Sequence, residues 1–217
     1  MTVTAFSQTL RESTKQVHDR AHGSVYMGAL LDGALSLEGY TRLAAQYYFI
    51  YSTLEAASDA MADDPVGAPF VIDELRRTPA LVADLEFLAG PNWRAEIEPV
   101  PATEEYVRRL RSVAFDWAGG YVAHHYTRYL GDLAGGQVVG SLLKRTYGVT
   151  GPGALFYDFA TLGSPSVFRK RYRALLDGAP WDEAERQRVV DETLMAFELN
   201  IAVLADLART IEDHRAA

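Results

Sequence analysis

Five histidines and no cysteine set the metal chemistry open to this chain. Disulfides, thiolate catalysis and iron–sulfur ligation are excluded, and imidazole and carboxylate are the donors left. His214 falls in a polar C-terminal stretch. His124 and His125 are neighbours, about 100° apart around a helix, so they do not serve one ion from one face. His18 and His22, at i and i+4 and preceded by Arg11 and Lys15, make a polar stripe. That pair reads as an ordinary surface stripe, as two of the ligands zinc needs with no convincing third, or as a single axial ligand at His18. No Glu-x-x-His pair recurs on two helices, which disfavours a di-iron carboxylate bundle.

The second unusual feature is the glycine spacing Gly131, Gly135, Gly136 within an otherwise helical pattern. Each glycine inside a helix costs about 1 kcal/mol against alanine, so something must offset it. A loop between two helices, or tight packing of small residues, is one reading. The other is a bent helix whose bare backbone approaches a flat ligand, because no Cβ intervenes. Asp132 then lies one residue from that face, placed to hold ordered water; on a plain surface helix it is a solvated charge.

A third cluster, Arg169, Lys170, Arg171 and Arg173, puts Arg169 and Arg173 on one helical face, where guanidinium groups suit carboxylates or phosphates. Alone, it reads as a solvated face. Together, a histidine ligand, a flat wall and paired cations match a ligand with a metal, a plane and two carboxylates, which describes haem.

These groups must be held by helices, because no stretch alternates like a strand. The spacing predicts an all-α, single-domain helical bundle over 1–217, with elements at 7–22, from Ser36 to before Pro65, at 67–76, 79–89, 103–115, 117–147, 165–177 and 182–210. Leu10, Thr14, Val17 and Ala21 form the buried stripe of the first, with Gly23 as its stop. Ser36 caps the second, whose stripe is Tyr40, Leu43, Tyr47, Tyr51, Leu54 and Ser58. Asp182 and Glu185 resemble a capping box for the last, with Val190, Leu194, Phe197, Ile201 and Leu204 buried. A polar link through Pro99 and Pro101 precedes 103–115. The 217 residues, 48% hydrophobic and 23% charged, suffice for one core. A net charge of -8 argues against nucleic-acid binding. The N-terminal stretch lacks the pattern of a secretory leader, no stretch has the roughly 18 apolar residues of a span, and IEDHRAA is polar. The expected place is the cytoplasm, with no membrane contact.

Residues 126–137, reading YTRYLGDLAGGQ, resemble the distal helix of the haem oxygenase family. The segments 13–18 (STKQVH), 168–173 (FRKRYR) and 196–200 (AFELN) resemble its proximal, propionate-binding and last-helix segments, so the likeness runs from about residue 7 to 208. It implies that haem b, both substrate and cofactor, is sandwiched between a proximal helix and a kinked glycine-rich distal helix. His18 would be the iron ligand, and Gly131, Gly135 and Gly136 the distal wall. Asp132 would organise distal water with Tyr51 and Arg128. Arg11, Lys15, Tyr126, Arg169 and Arg173 would hold propionates, and Phe197 and Asn200 would contact the haem. The implied reaction takes haem, O2 and electrons to biliverdin, carbon monoxide and ferrous iron, with opening at the α-meso carbon. No flavin or dinucleotide fingerprint is present, so electrons would come from a ferredoxin or flavoprotein reductase, docked on the cationic rim.

One departure stands out. The family often carries glutamate four residues after the proximal histidine, and this chain has His22 there. That predicts a more neutral His18 imidazole, unless another group substitutes. A haem carrier or sensor is the rival reading; a thiaminase-like enzyme of similar architecture is disfavoured by the missing cysteine.

Overall fold

The structure, a computed structural model, describes residues 4–216. Regular structure among them is helical apart from one antiparallel bridge, Leu35 with Arg215. In chain order the helices are α1 (Phe6–His22), α2 (Val25–Leu31), α3 (Leu37–Ala60), α4 (Thr78–Ala89), α5 (Trp93–Glu96), α6 (Pro101–Val113), α7 (Ala118–His125), α8 (Gly131–Tyr147), α9 (Pro165–Gly178) and α10 (Glu183–Ala208). A π-helical turn, Tyr126–Leu130, joins α7 to α8. The all-α expectation therefore holds.

The two long helices begin where their side chains cap them. Ser36 Oγ accepts from Gly39 N, and Asp182 from Glu185 N. The capping box at Asp182 is only half made, because the Glu185 carboxylate turns instead to Trp117 Nε1 and Arg188. Helix α1 lacks a cap of its own, and Asp177 of α9 supplies one, accepting from Ser7 N at 2.8 Å and Ser7 Oγ at 3.1 Å. This fixes α9 against the start of α1.

Helix α10 packs on α1, α2, α6 and α7, while α3 packs on α4, α6 and α7. The expected stripes of α1 and α3 are buried, with Ala21 only half-buried. On α10 the deepest residues are Val189, Thr193, Ala196, Val203 and Leu207, because the helix is enclosed on more than one side; Leu194 and Ile201 are only half-buried. The core is rich in tyrosine, and several hydroxyls find partners, while that of Tyr106 has none: Tyr26 donates to Gly39 O at 2.6 Å, and Tyr121 lies 2.9 Å from Ser58 Oγ.

Three expectations are corrected. Residues 67–76 are two 3-10 turns, Ala68–Phe70 and Asp73–Leu75, not a helix. Asp64 takes the Val66 and Gly67 N–H groups, Pro69 cannot extend an α-helical ladder, and Arg77 binds the Leu75, Glu74 and Asp158 carbonyls. Pro101 is not in a link but in the first turn of α6, where its missing N–H costs nothing. Helix α2 was not expected: Gly23 ends α1, but Ser24 immediately caps a new helix by accepting from Met27 N.

Candidate active site

A cleft of about 970 Å³, counting its open mouth, lies between α1, α2, α8 and α10. Its lining is mostly apolar, with Met27 and Leu31 from α2, Val138 and Val139 from α8, and Phe197 and Leu204 from α10. Into it converge His18, Arg128, Asp132 and Asn200, the pattern of a ligand site.

Helix α8 supplies a wall without side chains. A Cβ added at Gly131 or Gly135 meets nothing within 4 Å, so both glycines border open space. Gly136 also borders the cleft, but its missing Cβ serves a neighbour: an added one would lie 3.0 Å from the Tyr157 ring. The three glycines thus have two jobs. The departure from α geometry is not at the glycines but in the π turn before them.

Behind that wall runs a polar chain across three helices. The buried Tyr51 hydroxyl donates to Asp132 Oδ2, and Arg128 Nε donates to the Tyr51 hydroxyl at 3.2 Å. Arg128 Nη1 donates to Asn200 Oδ1 at 2.5 Å, and its guanidinium lies over the Tyr47 ring at 4.5 Å. Burial pushes the Asp132 carboxyl up, while the Arg128 charge and the Tyr51 hydroxyl pull it back. Burial also keeps the Tyr51 phenol protonated. Asp132 is therefore a fixed acceptor at the cleft wall, not a solvated surface charge.

Across the cleft His18 stands on α1, with the His22 ring 5.9 Å away edge-to-face and the Phe197 ring at 6.1 Å. Its Nδ1 lies 3.3 Å from Asp19 Oδ1. Arg20 pairs with Glu198 through both guanidinium nitrogens, at 2.6 and 3.0 Å, tying α1 to α10 beside the cleft.

The expected propionate residues do not line the cleft itself. Burial raises the Tyr126 hydroxyl, while Thr14 and the positive charges of Arg11 and Arg173 act against it, which places these four together beside the π turn. Arg11 and Lys15 are exposed and Arg169 is half-buried. Among the described residues none of Arg11, Lys15, Arg169 or Arg173 makes an ion pair with a carboxylate. Met27, Leu31 and Tyr157 line the cleft without having been singled out from the sequence, and Tyr47, expected only as part of a core stripe, lines it too. For α2, Ser24 followed by Tyr26, Met27, Leu30 and Leu31 was the overlooked signal; for Tyr157, in a turn after α8, there was none.

The haem oxygenase family profile matches residues 4–206. The chain belongs to the haem oxygenase family. It is 39% identical to heme oxygenase 1 of Gallus gallus over 94% of its own length and 70% of that protein. It is 37% identical to heme oxygenase 2 of Synechocystis sp., covering 97% of this chain and 86% of the other. Among solved structures it superposes on heme oxygenase-1 of Synechocystis in complex with heme, with TM-score 0.91 and 33% identity, over 97% and 95% of the two chains. Heme oxygenase from Leptospira interrogans follows at TM-score 0.88 and 30% identity.

For this family member the residues present fit haem. The wall at Gly131 and Gly135 leaves room that any Cβ would enter, apolar side chains surround it, and His18 and His22 face it from α1. No helix of the described residues is long and apolar enough to cross a membrane.

Proposed function

We propose that this haem oxygenase holds haem through His18 and cleaves it with O2 and externally supplied electrons to biliverdin, carbon monoxide and ferrous iron. The observation carrying this reading is Asp132, fixed by Tyr51 and Arg128 at the edge of a glycine wall opposite a histidine. A carrier needs the histidine and the wall, but not a half-buried, hydrogen-bonded carboxylate beside it.

Bound haem supplies both the iron at which dioxygen is reduced and the ring that is oxidised. The protein's part is placement. His18 gives an imidazole rather than a thiolate donor, which does not push strongly towards O–O cleavage. Gly131 and Gly135 would let the α8 backbone lie close against a flat ligand, since neither carries a Cβ into the cleft. Asp132 anchors a water at that wall, and the Arg128–Asn200 bond stops the network from turning away. Phe197 packs on the His18 ring. Arg11, Lys15, Arg169 and Arg173, cations without carboxylate partners, take the propionates at the edge of the site, with the neutral Tyr126 hydroxyl as a hydrogen-bond donor beside them.

In this reading the chain works in the cytoplasm, and electrons come from a ferredoxin or flavoprotein reductase. Its docking surface is the cationic edge, set against an acidic whole.

The test is direct: purified protein is mixed with one equivalent of hemin, then given reductant and oxygen. Bile-pigment absorbance and carbon monoxide are the expected products. Stoichiometric haem binding without pigment overturns the enzymatic reading and favours a carrier.

A further inference from the structure

We infer that Asp19, the residue next in sequence, orients the His18 imidazole in the role that the missing glutamate would otherwise fill. His22 occupies that glutamate's place on α1, but its ring meets His18 edge-to-face at 5.9 Å and 66°, and no hydrogen bond joins the two rings. The His18 ring nitrogen with a partner is Nδ1, and that partner is the Asp19 carboxylate at 3.3 Å.

In the neutral ring the contact favours one tautomer. A carboxylate only accepts, so the Nδ1 it faces carries the proton and Nε2 keeps the free lone pair. Nε2 is then the nitrogen available to a metal. Isolated imidazole in water has no such constraint, and a ring lining a cleft needs one. Two further contacts restrict rotation: His22 on one side and Phe197 at 6.1 Å and 78° on the other.

Asp19 is free to do this. Its sequence neighbour Arg20 is engaged by Glu198, and no other ion pair of Asp19 occurs among the described residues. The His18 and Asp19 side chains are 47% and 66% exposed, so in the ligand-free protein water weakens the bond. Asp19 does not line the cleft, so the contact biases the orientation of the ring without being a strong bond. The partner of the proximal imidazole is thus a carboxylate after all, reached one residue along instead of one turn along. This replaces the expectation of a more neutral His18.

Asp19 acts through His18 and is a positioning residue; the inference rests on the reading of His18 as iron ligand. The test uses Asp19→Ala, Asp19→Asn and His22→Ala in the full chain, with two readouts. In the ligand-free protein, nitrogen NMR reports the His18 tautomer. Losing one exposed hydrogen bond is expected to move the tautomer ratio about three- to tenfold towards Nε2–H in Asp19→Ala, and not in His22→Ala. In the reduced haem complex, the iron–histidine stretching frequency is expected to fall in Asp19→Ala, with Asp19→Asn intermediate. In the double variant Asp19→Ala, His22→Glu, a carboxylate one turn along is expected to restore it. Unchanged tautomer and frequency in Asp19→Ala, or changes confined to His22→Ala, overturn the inference. His18→Ala separates the two readings: if it leaves the haem spectrum unaltered, the ligand assignment itself fails, whatever Asp19 does.

Discussion

Gly135→Ala is expected to make the ligand-free protein more stable and the enzyme worse. Gly135 lies inside α8 with helical backbone, and its added Cβ meets nothing within 4 Å, so the methyl group introduces neither strain nor clash. Exchanging glycine for alanine at such a position gains about 0.5–1 kcal/mol. For a chain of this length 1 kcal/mol corresponds to a rise of about 2–4 °C in Tm. The same methyl group stands in the cleft, where the flat ligand is to approach. A displacement of reacting groups by about 1 Å costs on the order of 10²-fold in rate. Gly136→Ala is the internal control, since its Cβ would lie 3.0 Å from the buried Tyr157 ring and the stability gain is expected to vanish. Thermal melts without ligand, hemin titration and bile-pigment formation are measured on all three proteins. If Gly135→Ala melts higher yet turns haem over at the wild-type rate, the α8 face is not the wall of the reacting site. If it melts lower, the face is not open.

Asp132→Asn is expected to keep hemin affinity within about threefold, because the iron ligand and the cations are untouched, but to lower bile-pigment yield by 10²-fold or more, the scale of a misplaced proton donor. Spectral titration and single-turnover pigment yield check it. Tyr51→Phe takes a hydrogen bond from a half-buried carboxylate, so a stability loss of about 0.5–1.5 kcal/mol and a further rise in the Asp132 pKa are expected, read by urea unfolding and the pH profile of turnover. Acid stability follows from His125, whose buried ring is pushed down to about 3 by desolvation. The unfolded chain binds this proton first, so the stability is fully present above pH 6.5 and lost as pH falls from 6.5 towards 3. Acidifying from pH 7 to 5 is expected to cost about 2 kcal/mol through His125 alone, and His125→Phe should flatten the slope of unfolding free energy with pH by that amount. An unchanged slope refutes it.

What was legible in the sequence was what local chemistry decides. Ser36 and Asp182 cap because their side chains reach N–H groups three residues on, and apolar periodicity marks α3 with no knowledge of its neighbours. His18, Arg128, Asp132, Gly131, Gly135, Gly136, Phe197 and Asn200, chosen through the family resemblance, do meet at one cleft. Helix α2 escaped because seven residues carry barely two turns of pattern and Gly23 reads as a stop. The false helix at 67–76 is the converse: apolar spacing outweighed Pro69 and the competition of Asp64 for backbone N–H groups. Tyr157 and Asp19 were not legible. One reaches the cleft through a turn whose path is set by Asp84, which accepts from Gly153, Leu155 and Phe156 N. The other depends on a rotamer.

The π turn explains why the glycines face the cleft at all. Residues 119–125 of α7 are all buried, with His125 stacked on Tyr172 and Tyr129 packed edge-to-face on Tyr51. A π turn holds about one residue more than an α turn, so everything after Tyr126–Leu130 is rotated by about 100° relative to an uninterrupted helix. Without that rotation the face now held by Gly131 and Gly135 would belong to Leu130 and Ala134, and the Asp132 position to Gly131. A leucine would stand where the wall must be flat, and no carboxylate would meet the Tyr51 hydroxyl. The glycine spacing and the carboxylate are therefore useful only in this phase. Arg128, inside the turn, helps to hold it there: its side chain bonds Tyr51 of α3 and Asn200 of α10 at once, so the irregular turn is anchored to both helices that flank it.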